Sequence, residues 1–178
     1  MQLIEITYYH SPVGKLILGS FKDQLCLCDW FHRSKREQID LRICNGLNAV
    51  YEEERSEVVD FAIEELEAYF ARELEQFETP LLKVGSEFQQ KVWDQLEQIP
   101  YGKTVSYLDL AKQMEQEDAI RAVASANGAN ALSIFVPCHR VIGSSGELTG
   151  YAGGLRAKRK LLELESGIQD TQLELFEF

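Results

Sequence analysis

Three short apolar runs, separated by turn-forming residues, open the chain. LIEITYY and KLILGS are joined by HSPVG, and LCLCDWF is reached through FKDQ. Each run is rich in β-branched or aromatic residues, which predicts a β-meander. Residues 32–55 are polar and mixed and carry no readable period. From Ser56 a helical pattern begins, with Val59, Ala62, Ile63, Leu66, Phe70 and Leu74 returning at steps of three and four. It ends before ETPLLKVG, a segment that reads as a link between two domains.

The second half reads as helical. Ser86 followed by Gln89 is a capping-box signal, and Phe88, Val92, Leu96 and Ile99 make one apolar stripe that stops at PYG. A further helix is expected near Ser106, with Tyr107, Leu110, Ala111 and Met114 on one face. After EQED comes AIRAVASAN, closed by Gly128. Two short helices on a tight turn fit a helix-turn-helix and equally an ordinary helical hairpin. In the later of the two, Ala122, Ser125, Ala126 and Ala129 recur at helical spacing and give a face with little side-chain height, from which Arg121 alone projects. Such a face suits shape-based contact with DNA, or simply close packing against another helix. LRAKRKLLELE predicts a last helix that turns Leu161, Leu162 and Glu165 inward. A carboxylate there needs a partner, for which His139 is the candidate, unless Glu165 lies on the surface.

The 178 residues suffice for one or two small domains. There is no export signal and no apolar run long enough to span a bilayer, so a cytoplasmic protein is expected. Cys26, Cys28, Cys44 and Cys138 lack the pattern of a disulfide scaffold and read as reduced thiols. A zinc site of Cys26, Cys28, His32 and Cys44 would place both strand cysteines on one face but lacks C-x-x-C spacing, so no metal is expected. The net charge of −11 argues against nucleic acid, yet its distribution does not. Between residues 121 and 160, Arg121, Arg140, Arg156, Lys158, Arg159 and Lys160 face only Glu147. One side of the protein could therefore meet a polyanion.

FVPCHRVIG sets Cys138, His139 and Arg140 side by side. A lone cysteine among apolar residues packs as a small hydrophobe, unless neighbouring cations raise its thiolate fraction. On a strand, Cys138 and His139 would point to opposite faces, so a bridging water or a turn is needed for them to cooperate. A Cys, His, Glu relay would equally serve a hydrolase.

IPYGKTVSYLDLA, IRAVASANGAN, VPCHRVIG, GELTGYAGGL and KLLELE occur in order, and with them the chain resembles the O6-alkylguanine-DNA alkyltransferases over most of residues 80–165. The resemblance extends more loosely to YYHSPVGKLIL and ELEAYF. It implies an α+β chain: a small N-terminal α/β domain with a three-stranded antiparallel sheet over residues 1–82, and a mainly helical, winged-helix-like domain with a helix-turn-helix over 83–166. A tail follows at 167–178. It further implies a single-turnover transferase that flips O6-alkylguanine, with O4-alkylthymine a second candidate, out of double-stranded DNA and moves the alkyl group to Cys138. In that resemblance His139 acts through water as base, Glu165 orients His139, and Tyr107 donates to the flipped base. Arg121 fills the gap in the stack, Ala122, Ser125 and Ala126 face DNA, and Asn130 fixes the turn near the site. Val141, Tyr151 and Ala152 border the base, and no cofactor is required. Ala152 replaces a serine found in some relatives, and Ala131 a proline found in many. A monomer is expected. The tail sequence QLELF, Gln172 to Phe176, is similar to peptides that bind the bacterial sliding clamp, and an apolar tail packing on its own domain is the alternative. A recognition protein without transfer and a sequence-specific regulator are the other function classes. Cys138 opposes the first and the bare third helix the second.

Overall fold

The opening meander is present in the computed structural model, which describes residues 1–167. Strands β1 (Gln2–Ser11), β2 (Gly14–Phe21) and β3 (Gln24–Trp30) pair antiparallel in sequence order. The stretch without a readable period adds α1 (Arg36–Leu47) and β4 (Ala49–Glu53), and β4 pairs parallel to β1. The sheet therefore has four strands in the order β3-β2-β1-β4 and is mixed, where three antiparallel strands were expected. The reason is visible in burial: α1 buries only Ile39 and Ile43, and β4 only Ala49, too few apolar positions to set a period.

Each face of the sheet carries a helix. α1 packs Ile39 and Ile43 against Ile4, Ile6, Ile17 and Leu27. On the other face α2 (Glu57–Phe70) sets Val59, Ala62, Leu66 and Tyr69 against Leu16, Leu18, Leu25 and Cys28. A β-bulge lies between these faces, because Gly19 pairs with Leu27 while Ser20 pairs with Leu25, leaving Cys26 without a partner position. One extra residue reverses the alternation. Cys26 thus points to the α1 side and Cys28 to the α2 side, not to a common face as the sequence suggested.

α2 starts where Ser56 Oγ accepts from Val59 N at 3.2 Å, and it stops at Phe70, so Leu74 lies beyond it. α3 (Glu87–Leu96) has the full capping box: Ser86 Oγ accepts from Gln89 N, and Ser86 N donates to Gln89 Oε1. β5 (Val105–Ser106), α4 (Tyr107–Gln113), α5 (Ile120–Gly128), β6 (Val141–Ile142) and α6 (Leu155–Ser166) follow, with β5 parallel to β6. α4 and α5 are joined through a 3-10 turn at Glu117–Ala119, and α5 packs on both α3 and α4.

The chain division expected near residue 82 falls between α2 and α3, but the core runs across it. Leu18 and Leu66 belong to the same buried cluster as Trp93, Val123 and Leu161. β3 also extends the contact: Cys28 N donates to Ala131 O (2.8 Å), and Ser133 N to Cys28 O (2.7 Å). No helix of the described residues is long and apolar enough to cross a membrane. The clamp-like sequence Gln172–Phe176 lies outside the described residues.

A shared core predicts shared unfolding. Leu66→Ala, which empties a fully buried position, is expected to lower the unfolding free energy in urea by about 3 kcal/mol. Fluorescence from Trp30 and Trp93, one in each half, should follow a single transition coincident with far-UV circular dichroism, and two separated transitions would contradict the shared core.

Candidate functional site

Pro137 leads into a single 3-10 turn, Cys138–Arg140, before the chain enters β6. The turn removes the strand alternation that would have sent Cys138 and His139 to opposite faces. Both are buried, at 4% and 0% exposure. The loop leading to them is held from both sides by Asn130: its Nδ2 donates to Val136 O (2.9 Å), and its Oδ1 accepts from Leu132 N (2.9 Å). Inside this clamp Ile134 sits at φ 75°, a left-handed conformation that costs a β-branched residue roughly 1–3 kcal/mol. Asn130 thus ties the two ends of the loop together, and the loop depends on such contacts to keep its shape.

Glu165 reaches the turn from α6. Its carboxylate accepts from His139 Nε2 (2.6 Å), Arg140 Nε and Nη2 (2.9 and 3.0 Å), Tyr69 Oη (2.8 Å) and Gly102 N (3.3 Å). Burial alone would raise this carboxyl's pKa, but the bonds and charges of His139 and Arg140 prevail and hold it at about 2. A carboxylate only accepts, so His139 Nε2 must carry a hydrogen. Burial lowers His139 from its ordinary value of 6.5, which keeps the ring neutral at pH 7 and leaves Nδ1 with a lone pair. Nδ1 is buried and has no hydrogen-bond partner among the described residues. The Cys138 thiol is pushed up by burial, against the Asn130 hydrogen bond and the positive charges of Lys158 and Arg33.

Cys138 opens onto a pocket of about 340 Å³ whose walls include Tyr107, Asn127, Asn130, Tyr151 and Ala152. Tyr107, the first residue of α4, donates to Thr149 O at 3.2 Å. Tyr151 stands edge-on to Trp30, and its hydroxyl is buried. A Cβ at Gly153 would run into the Trp30 indole, so glycine is required where the loop crosses β3. Val141 is buried, and its carbonyl already accepts from Lys158 Nζ (2.6 Å). Lys158 also donates to Thr149 O (3.0 Å) and Gly150 O (3.3 Å), and thereby fixes the loop that borders the pocket.

α5 divides the residues expected to face DNA. Arg121, Ala122 and Ser125 are exposed, whereas Ala126 is buried against α3, its carbonyl accepting from Trp93 Nε1 (2.8 Å). Ala126 is therefore a packing residue and not part of an exposed face. The helix period had placed it with Ala122 and Ser125, but α3 covers that side. The basic segment is also thinner at the surface than its count suggested, because Arg140 and Lys158 are spent inside. Arg121, Arg156, Arg159 and Lys160 remain exposed.

Three contributors were not singled out for these roles by the sequence: Tyr69, Lys158 and Arg33. Lys158 had a signal, since it precedes Leu161 by three positions and Glu165 by seven on the inward face of α6. Tyr69 and Arg33 come from the other half of the chain and had none. Among the described residues, no group of three or more His, Cys, Asp or Glu is arranged to hold a metal ion.

The family described as 6-O-methylguanine DNA methyltransferase, DNA binding domain, matches residues 87–167. The methylated-DNA–protein-cysteine methyltransferase of Mycobacterium leprae is 53% identical over 170 residues, covering 94% of this chain and 95% of that one. The constitutive enzyme of the same name from Bacillus subtilis is 40% identical over 166 residues, covering 90% and 96%. The crystal structure of the Mycobacterium tuberculosis O6-methylguanine methyltransferase superposes with a TM-score of 0.77 at 38% identity, over 98% of this chain and 99% of that one. A Mycobacterium tuberculosis structure in complex with DNA gives 0.78, at the same identity and coverage. With a relative at 53% identity over nearly its whole length, and with a pocket-wall cysteine followed by a histidine bound to a buried glutamate, the chain belongs to the 6-O-methylguanine DNA methyltransferase family.

Proposed function

We propose that this protein repairs O6-alkylguanine in double-stranded DNA by moving the alkyl group onto Cys138 in one irreversible turnover. The observation that carries the reading is a buried thiol in the wall of a pocket of about 340 Å³, followed directly by a histidine bound to a buried carboxylate. A pocket of that size admits one base and not a duplex, so the damaged nucleotide must leave the stack to reach the sulfur. Arg121, exposed on α5, is suited to fill the space it vacates, with Ala122 and Ser125 allowing close approach of the backbone.

The chemistry is a displacement at saturated carbon. The Cys138 proton passes through water to His139 Nδ1, and Glu165 stabilises the resulting imidazolium through Nε2–H. Sulfur then forms a bond to the alkyl carbon while the carbon–O6 bond breaks, its electron pair staying with the guanine. Tyr107 donates a hydrogen bond to the base as that charge develops, and the backbone near Ala152 and Val141 borders it. The product is a thioether, which nothing in the pocket can cleave. The protein is consumed, and no cofactor enters.

Every residue in this scheme comes from one chain, which supports action as a monomer. The four free cysteines support a reducing, cytoplasmic setting. The tail sequence Gln172–Phe176 is proposed to bind a sliding clamp on its sequence alone. Deleting the last eight residues should abolish capture on immobilised clamp, and undiminished capture would end that idea.

Duplex DNA with one radiolabelled O6-methylguanine tests the main reading. Label should move to the protein at one per molecule and stop, and Cys138→Ser should take none. Continued turnover, or label on Cys138→Ser, would overturn it. Glu165→Gln should slow single-turnover transfer by about a hundredfold and lower stability by roughly 3 kcal/mol, because Arg140 is left without its buried counter-charge. The sign with pH is fixed. A carboxyl held at about 2 in the fold and titrating near its ordinary 4.5 when unfolded stabilises fully above 4.5, and that contribution is lost as pH falls toward 2. The wild-type urea midpoint should drop over that window more steeply than that of Glu165→Gln.

A further inference from the structure

The C-terminal end of α5 is closed by side chains from outside the helix. Trp93 Nε1 donates to Ala126 O (2.8 Å), Arg33 Nη2 to Gly128 O, Arg42 Nη2 to Ala129 O (2.8 Å) and Arg33 Nη1 to Asn130 O (3.0 Å). Arg33 lies between β3 and α1 and is 8% exposed. Its Nη1 also donates to both oxygens of the fully buried Asp29 at 3.1 Å, and Asp29 receives Arg36 Nη1 at 3.0 Å. Cations belong at the negative end of a helix, and any cation would satisfy that need.

Two features ask more of Arg33 than helix capping. First, the carbonyl it holds belongs to Asn130, whose side chain grips Leu132 and Val136 on either side of left-handed Ile134, four residues before Cys138. Second, Arg33 itself stands in the wall of the Cys138 pocket. A planar fork that engages a carboxylate and two carbonyls at once can fix that turn in space, which a flexible ammonium cannot do.

We propose that Arg33 is a positioning residue for alkyl transfer: from the N-terminal half it fixes the Asn130 turn, and through that turn holds the Cys138 thiol in the pocket wall. The inference rests on Cys138 being the acceptor. The groups facing the thiol are Lys158 from α6, Arg33 and Asp29 from the N-terminal half, Tyr107 from α4, Tyr151 from the bordering loop and the adjacent His139. Removing Arg33 takes one of two cations from that set.

The test compares single-turnover transfer from O6-methylguanine duplex across pH for the full-length wild type, Arg33→Gln and Arg33→Lys, with duplex affinity and melting temperature measured in parallel. Arg33→Gln should transfer about tenfold more slowly or worse, with its acid limb displaced to higher pH and its duplex affinity within about twofold of wild type. Arg33→Lys should restore the acid limb, because the charge returns, but not the full rate, because one ammonium cannot replace the fork. If Arg33→Gln does not fold, Arg33→Lys decides: a slowed rate at unchanged melting temperature supports the proposal, and a wild-type rate overturns it. Wild-type rate and pH profile in folded Arg33→Gln also overturn it, as does a slowed rate with an unmoved acid limb. Failure of wild type itself to take label on Cys138 would instead remove the acceptor reading on which the proposal stands.

Discussion

One buried carboxylate organises the reactive end of this protein. Glu165 accepts from His139, Arg140, Tyr69 and the backbone of Gly102, so a residue on the last helix fixes the cysteine turn, the end of α2 and the turn after α3 together. An isolated charge in that position would cost several kcal/mol, and its depressed pKa reports that the surrounding donors more than offset the burial. The constraint runs in the other direction as well. Because Glu165 can only accept, it dictates which nitrogen of His139 is protonated and leaves Nδ1 as the free base.

The second constraint is mechanical. The loop from Asn130 to Pro137 includes a β-branched residue in a left-handed conformation and could not hold that shape alone. It is clamped internally by Asn130 and externally by β3, through the paired backbone bonds of Cys28 to Ala131 and Ser133. The N-terminal sheet therefore serves the site as a frame. Trp30 at the end of β3 abuts Gly153 and Tyr151, and Tyr69 of α2 completes the Glu165 shell. A chain whose core crosses from sheet to helices couples the two halves without needing a rigid linker.

Much of this was legible in residues whose local chemistry is unambiguous. Ser56, Ser86 with Gln89, and Ser106 each cap the helix they were expected to start, since a side-chain oxygen next to orphan N–H groups acts within a few residues. Glu165 was read as inward from the period of α6 and found the partner proposed for it. What escaped depended on distant parts of the chain. α1 and β4 carry too few buried residues to announce themselves, and the bulge at Cys26 reversed a strand face that alternation alone would have kept. Ala126 looked exposed until α3 covered it, and Arg33, nearly a hundred positions from Asn130, gave no local sign of the turn it holds.

The central claim is that the pocket beside Cys138 receives a single damaged base taken out of the duplex. A crystal structure of Cys138→Ser bound to duplex DNA containing O6-methylguanine tests it most directly. The base is expected unstacked in the pocket among Tyr107, Asn130 and Tyr151, its alkyl carbon facing residue 138, with Arg121 in the space left behind. A lesion still stacked in the duplex, or bound on another surface with the pocket empty, would contradict it.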